Sequence, residues 1–320
     1  MRNVLMSLAL TALLFGDAGA TPDIGAGPEC DRICLYRFID NYLEALVHHD
    51  PSRLPWAEHG RFTENNVVLQ VGDGLWGTAT ALGDYRLKFA DPENGQVGIF
   101  GVVKESSASS MFAVRMKIEH QRISELETLV FRLADAGRTG IQSFSTEPQL
   151  VEKPILLENV PEAQRRSRER MIAIADGYFD TLQLNDGTLH TQFDENCNRS
   201  ENGLQSTNNP ALTGRPIARL GCEAQFKLGY YRYDDRLRAR RFSLIDEELG
   251  LVLAAAFIDH SGRLGTYRLT DGTVVESPWR RPHSFCMLEL FKIVDGKVRQ
   301  IEAVVVNVPY GMPSPWVPET

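Results

Sequence analysis

The chain repeats itself, and this limits its fold more than any other feature. Asp40 to Asp50 (DNYLEALVHHD) aligns without gaps with Asp176 to Asp186 (DGYFDTLQLND). Phe62 to Asn66 (FTENN) then corresponds to Arg199 to Gly203 (RSENG), and Arg122 to Glu127 (RISELE) to Lys297 to Glu302 (KVRQIE). Three matches in one order, so far apart, mean two copies of a domain and not a solenoid of short repeats. The length of 320 residues suits two domains.

Each copy opens with an amphipathic helix, about 31–48 and 162–184. Leu35, Phe38, Ile39, Tyr42 and Leu46 form the apolar stripe of the first. Asp50-Pro51 ends that helix, and a loop-and-helix region carrying Trp56 and Trp76 follows. Long strands close each copy. They are expected over 85–90, 96–105, 111–119 and 122–132, then over 238–245, 250–260, 284–294 and 297–306. Asp295-Gly296 suits a two-residue hairpin turn. The expected division is therefore a signal peptide over 1–20, domains over 29–133 and 162–308, a linker over 134–161 and an extended tail over 309–320. Helices first and a curled antiparallel sheet after make an α+β class.

The order of helix, Asp50-Pro51, short helix, Gly74-Leu75-Trp76-Gly77 and strand meander resembles the NTF2-like (SnoaL-like) superfamily, here in tandem. The stretch His49 to Pro55, with Phe62 to Asn65 after it, also resembles an uncharacterised family of secreted fungal and bacterial proteins. The resemblance implies a cone-shaped fold with a pocket between sheet and helix. It implies no single reaction, because the superfamily holds dehydratases, isomerases, cyclases, lyases and pure binders. Val298, Glu302, Val304 and Val306 point one way along the last strand, and Ile301, Ala303 and Val305 the other. A strand apolar on both faces is covered on both. One cover is the helix and the other the sister sheet, giving an internal pseudo-dimer within a monomer; homo-oligomerisation is the alternative.

Met1-Arg2-Asn3, the apolar run from Val4 to Gly16 and Ala18-Gly19-Ala20 have the form of a secretory signal peptide cut near Thr21. The expected location is secreted or periplasmic, with no membrane association after cleavage. Export permits disulfides. Among Cys30, Cys34, Cys197, Cys222 and Cys286, a Cys197–Cys222 bridge is favoured, Cys286 lies in a strand pattern as a buried thiol, and the pairing of Cys30 and Cys34 stays open. The net charge of −8 argues against nucleic acid as a partner. No zinc-ligand spacing, P-loop, dinucleotide glycine motif or nucleophile elbow occurs, so no metal and no cofactor is expected. Asn198-Arg199-Ser200 is a glycosylation sequon, meaningful only in a eukaryotic secretory host.

The candidate chemistry lies in the second copy. A turn at Asp295-Gly296 sets Val294 opposite Lys297, Ile293 opposite Val298 and Glu289 opposite Glu302. Two facing carboxylates repel, so one keeps a proton or an arginine intervenes. Glu302 or Glu289 would be a base, and the partner glutamate or His283 the acid. A buried Glu–Arg network that only shapes the pocket is the alternative. Arg240 and Arg241, beside Arg238, would bind an anionic group or form a solvated edge. Tyr178 and Trp76 would be pocket-wall aromatics or plain core. In the first copy Glu127 is expected opposite Val114. Glu64 and Glu201 recur in both copies, which favours a structural role for both. The expected ligand is a small, partly apolar carbonyl- or hydroxyl-bearing molecule. The expected activity is that of a cofactor-independent lyase or isomerase, with a non-catalytic exported binder as the alternative.

Overall fold

The computed structural model describes residues 30–106, 108–132 and 150–317. The expected signal peptide and most of the linker lie outside the described residues. The first half begins with α1 (Arg32–Val47), β1 (Trp56–Glu64), β2 (Val67–Leu69) and α2 (Leu75–Thr78). It ends with β3 (Ala79–Asp91), β4 (Gln96–Glu105), β5 (Ala108–Glu119) and β6 (Arg122–Phe131). After α3 (Pro154–Leu157), the second half runs α4 (Arg168–Leu184), β7 (Phe193–Glu201), β8 (Leu204–Gln205) and α5 (Cys222–Lys227). β9 (Arg236–Asp246) and β10 (Leu251–His260) follow, then a small hairpin of β11 (Thr266–Arg268) and β12 (Val274–Glu276). β13 (His283–Val294) and β14 (Lys297–Val308) close the fold.

Both long helices start and stop on local chemistry. The Asp31 carboxylate caps α1 by accepting from the Cys34 amide, and a Cys30–Cys34 disulfide ties the same turn. Ser167 caps α4, which ends at Asn185 with φ 40°, a left-handed position that asparagine tolerates. The anticipated stripe of α1 is buried.

The halves share one topology. Each contains a six-stranded sheet, β2-β1-β6-β5-β4-β3 and β8-β7-β14-β13-β10-β9. The expected long strands are all present, with ends within three residues of those anticipated except for β3, which begins six residues earlier, but the sheets are not purely antiparallel. β1 pairs parallel with β6, and β7 pairs parallel with β14. These two strands were expected to be loop or short helix. Their sequences, WAEHGRFTE and FDENCNRSE, show no apolar alternation, because only a few of their side chains are buried.

The hairpin register changes one residue beyond the turn. Val294 faces Lys297 and Ile293 faces Val298, as the Asp295-Gly296 turn requires, but Lys292 then faces Gln300. The unpaired residue is Arg299, a β-bulge. Ser124 makes the same bulge at the same place between β5 and β6. A one-residue slip moves every later side chain to the other face. Glu302 therefore stands opposite Leu290, and Glu289 opposite Ala303, so the expected Glu289–Glu302 pair does not form. Glu127 likewise stands opposite Arg115, not Val114.

One face of the first sheet packs on α1 through Val97, Ile99, Phe112 and Val114. The other, with Leu87, Phe89, Phe100 and Leu129, belongs to a single core shared with the second half. Polar contacts cross between the sheets; the Ile245 amide on β9, for example, donates to Asp91 on β3 at 3.0 Å. Arg241 on β9 donates to Glu127 at 2.5 Å, and Tyr85 on β3 donates to Glu302 at 3.2 Å. The tail after β14 returns to β1, where the Trp316 indole N–H donates to the Thr63 hydroxyl and its ring lies over Arg115, Arg61 and Arg241.

Candidate functional site

A cavity of about 300 Å³ lies in the second half between its sheet and α4. Its deep end is built from three strands. Glu289 on β13 pairs with Ala303 on β14, which pairs with Glu201 on β7. The two glutamates thus rise from one face, two strands apart, about 10 Å between Cα atoms at ordinary strand spacing. The small Ala303 side chain between them leaves room.

Glu289 is fully enclosed. Its Oε1 accepts from the Tyr178 hydroxyl at 3.2 Å, and its Oε2 has no hydrogen-bond partner among the described residues. Burial pushes its carboxyl up to about 8, and the Glu201 carboxylate adds to the rise, while Arg199 and Tyr178 pull the other way. The raised value favours the carboxylic acid form at neutral pH, with Oε2 free to donate. Glu201 is more exposed and ion-pairs with the Arg199 guanidinium at 3.0 Å. Arg199 is itself buried, and donates to the Gln225 side chain at 2.9 Å, to Ser206 at 3.2 Å and to Tyr231. Gln225 lies on α5, which the Cys197–Cys222 disulfide fastens to β7. The anticipated bridge therefore braces the wall that carries Arg199. Cys286 is free and buried, as expected.

The far end of the cavity is aromatic. Tyr230, Tyr231, Tyr233, Trp279 and Phe285 contribute to its lining, together with His260 and Asp234. His260 Nε2 and Asp234 Oδ1 are hydrogen-bonded at 2.8 Å. Burial raises the Asp234 carboxyl, and His260 opposes that rise.

The first half supplies an internal comparison. In matching register, Tyr42 stands for Tyr178, Phe62 for Arg199 and Val114 for Glu289. Glu64 stands for Glu201, but it caps α2 by accepting from the Leu75 amide at 2.6 Å and pairs with Arg132. Trp76 packs edge-on against Tyr42 at 5.4 Å, as Phe226 does against Tyr178. The same frame is filled with apolar side chains in one half and with acids and an arginine in the other.

The structure brings together only some of the expected site residues. Glu289 and Tyr178 meet in the cavity. Glu302 is on the opposite face, between the sheets, because of the bulge. Arg240 pairs with Asp176 at 2.8 Å and Asp180 at 2.7 Å on α4, and Arg241 with Glu127, so neither reaches the cavity. β9 presents both to carboxylates outside the cavity. His283 stacks on His260, with ring centres 4.5 Å apart, and donates from Nδ1 to the Arg281 carbonyl. It is not among the residues that line the cavity. Trp76 is core of the first half. Arg199, His260 and Asp234 were not anticipated as site residues. The replacement of Phe62 by Arg199 within otherwise matching repeats was the available signal. Nothing in the sequence joins Asp234 to His260.

A family model described as "Domain of unknown function (DUF8021)" matches residues 164–305, which include the cavity strands. No curated protein matches the chain. Among solved structures, it is similar to a de novo designed protein with a curved β-sheet, at 13% identity and TM-score 0.27, over 31% of this chain and 87% of that one. It is also similar to a protein from Sphaerobacter thermophilus, at 17% identity and TM-score 0.26, over 32% and 96% of the two chains. An NTF2-like protein from Cytophaga hutchinsonii gives 16% identity and TM-score 0.25, over 44% and 99%. Scores this low establish neither fold nor function. Among the described residues, no helix is long and apolar enough to cross a membrane.

Proposed function

We propose that the protein is an exported pair of NTF2-like units whose second unit is a cofactor-independent lyase or isomerase. The observation that carries this is the pair Glu289 and Glu201, facing one cavity from opposite sides of Ala303. Their environments differ as acid–base work requires, one enclosed and protonated, the other held beside a guanidinium. Glu289 would protonate a carbonyl oxygen or a departing hydroxyl, and Glu201 would take the proton from the neighbouring carbon. Arg199 positions Glu201, and Tyr178 holds the other oxygen of Glu289. The helix-first units, each with a sheet and, in the second, a pocket beside the helix, support the NTF2-like assignment. The two disulfides support an oxidising compartment outside the cytoplasm.

The engagement of Arg199 by several protein groups favours a second reading, a non-catalytic binder in which these charges only shape the pocket. Proton exchange separates the two. A panel of aryl methyl ketones and β-hydroxy ketones in deuterated buffer is followed by proton NMR. An enzyme accelerates loss of the α-proton signals, and Glu289→Gln or Glu201→Gln slows it by about a hundredfold with the fold intact. Binding without exchange in the folded wild type would sink the catalytic reading.

A further inference from the structure

The end of the cavity opposite Glu289 holds a second set of polar groups that the acid–base pair does not use. His260 is 1% exposed, and its Nε2 is committed to Asp234. In the neutral ring with Nε2 protonated, Nδ1 carries a lone pair, and Nδ1 has no hydrogen-bond partner among the described residues. Trp279 sits beside it, with ring centres 5.5 Å apart, and its indole N–H is likewise without a partner there. One acceptor and one donor are therefore buried on neighbouring rings. A buried polar group left unpaired costs about 1–3 kcal/mol, so two neighbours of opposite sense point to a shared ligand group. A hydroxyl donates one hydrogen bond and accepts others, which matches this pair; a carbonyl or ammonium does not.

Nearby groups hold the arrangement. His283 is parallel to His260 within 6°, and its own Nδ1 proton is used by the Arg281 carbonyl. Burial, together with the neighbouring His260, outweighs that bond and lowers the tendency of His283 to take up a second proton. Phe285 and Tyr233 close the other sides. Glu289 stands opposite Ala254 on β10, and His260 lies further along the same strand, about 20 Å on at the rise of a strand. Between the two ends the wall is largely aromatic and aliphatic, with Tyr231, Ile258, Phe285 and Met287.

We infer that His260, oriented by Asp234, and Trp279 form a hydroxyl-binding subsite, and that the cavity takes a flat, two-ring hydroxyaryl carbonyl compound whose carbonyl lies at Glu289. The placement of the carbonyl rests on the reading of Glu289 as an acid; the placement of the hydroxyl does not. The ligand lies along the sheet, phenol toward Trp279 and carbonyl toward Ala303. It is uncharged and held by ring contacts along its length.

Three probes test this by calorimetry on the full-length mature chain: a biphenyl with a para acetyl group on one ring and a para hydroxyl on the other, its analogue without the hydroxyl, and its analogue with ethyl in place of acetyl. The hydroxyl should strengthen binding about tenfold in the wild type. His260→Phe keeps an aromatic ring and should abolish that preference while leaving the preference for acetyl over ethyl. Trp279→Phe should reduce it and serves if His260→Phe does not fold. Glu289→Leu should do the reverse, losing the acetyl preference and keeping the hydroxyl one. Failure of the acetyl arm alone counts against Glu289 as an acid and leaves the subsite standing. A hydroxyl preference that survives in the folded His260 or Trp279 variant, or is missing from the wild type, overturns the subsite, as does refusal of all three probes.

Discussion

Glu127 and Glu302 hold the same position in the last strands of the two halves, and each reaches across to the other half's sheet, but only Glu127 meets arginines. Burial alone would raise the Glu127 carboxyl; Arg241 and Arg115 outweigh it and hold the group below its ordinary value. Glu302 has the Tyr85 hydroxyl at 3.2 Å, and burial pushes it up to about 7. The equivalent carboxylates should therefore respond in opposite ways to the loss of charge.

Glu302→Gln should flatten the dependence of stability on pH. The folded protein keeps a proton on Glu302 up to about 7, whereas the unfolded chain releases it near 4.5. Between these values the native state binds more protons, so stability falls as pH rises. Glu289 extends the fall to about 8. The wild type should lose roughly 7 kcal/mol between pH 5 and 8 on this account. Urea unfolding across that range should show part of the slope missing in Glu302→Gln; an unchanged slope would refute the assignment.

Glu127→Gln should instead destabilise the protein by about 3–5 kcal/mol, because Arg115 and Arg241 would be left buried without their common anion. Denaturant midpoints at neutral pH would measure it. A loss below about 1 kcal/mol would mean that Glu125 and the Trp316 ring suffice for the arginines.

The acid role of Glu289 fixes the sign of a pH profile. Turnover that uses its protonated form should hold level from neutral pH up to about 8 and fall tenfold per unit above it. A rise toward pH 9 would make Glu289 a base and exchange its role with that of Glu201. Initial rates of α-proton exchange over this range distinguish the two.

The Cys197–Cys222 disulfide should matter to the cavity as well as to stability. It closes a loop of sequence separation 25, for which chain entropy gives about 3–4 kcal/mol. Its loss also frees α5, and with it Gln225, from the strand that carries Arg199. Replacing both cysteines by serine should lower the unfolding midpoint and weaken ligand binding in the protein that stays folded. Unchanged affinity would show that α5 is held by packing alone.

The long strands and both main helices were legible because their side chains are buried in regular patterns, as in LVLAAAFIDH of β10. β1 and β7 were not, since backbone pairing at a sheet's polar margin leaves no apolar period. Of the expected Glu289–Glu302 pair, only Glu289 lines the cavity, and Glu302 lies on the other face, because a bulge at Arg299 has no signature in residue type. The subsite around His260 was hidden for another reason: Asp234, His260 and Trp279 come from separate loops and strand ends, which only tertiary folding joins.

Arg299 offers the sharpest test of that account. Its guanidinium pairs with Asp194 at 2.5 Å near the surface, so Arg299→Ala should cost about 1 kcal/mol or less. Deleting the residue removes the unpaired position but keeps the pairing beyond it. The Asp295-Gly296 turn would then carry an unbroken ladder in which Gln300 still faces Lys292, Glu302 still faces Leu290 and Ala303 still faces Glu289. The side chains of β14 therefore keep their faces, and what is lost is the Asp194 contact and the local twist of the bulge. Both variants should keep a cooperative melting transition. Loss of that transition in the deletion variant alone would mean that the bulge itself, and not the pairing beyond it, holds β14 in place.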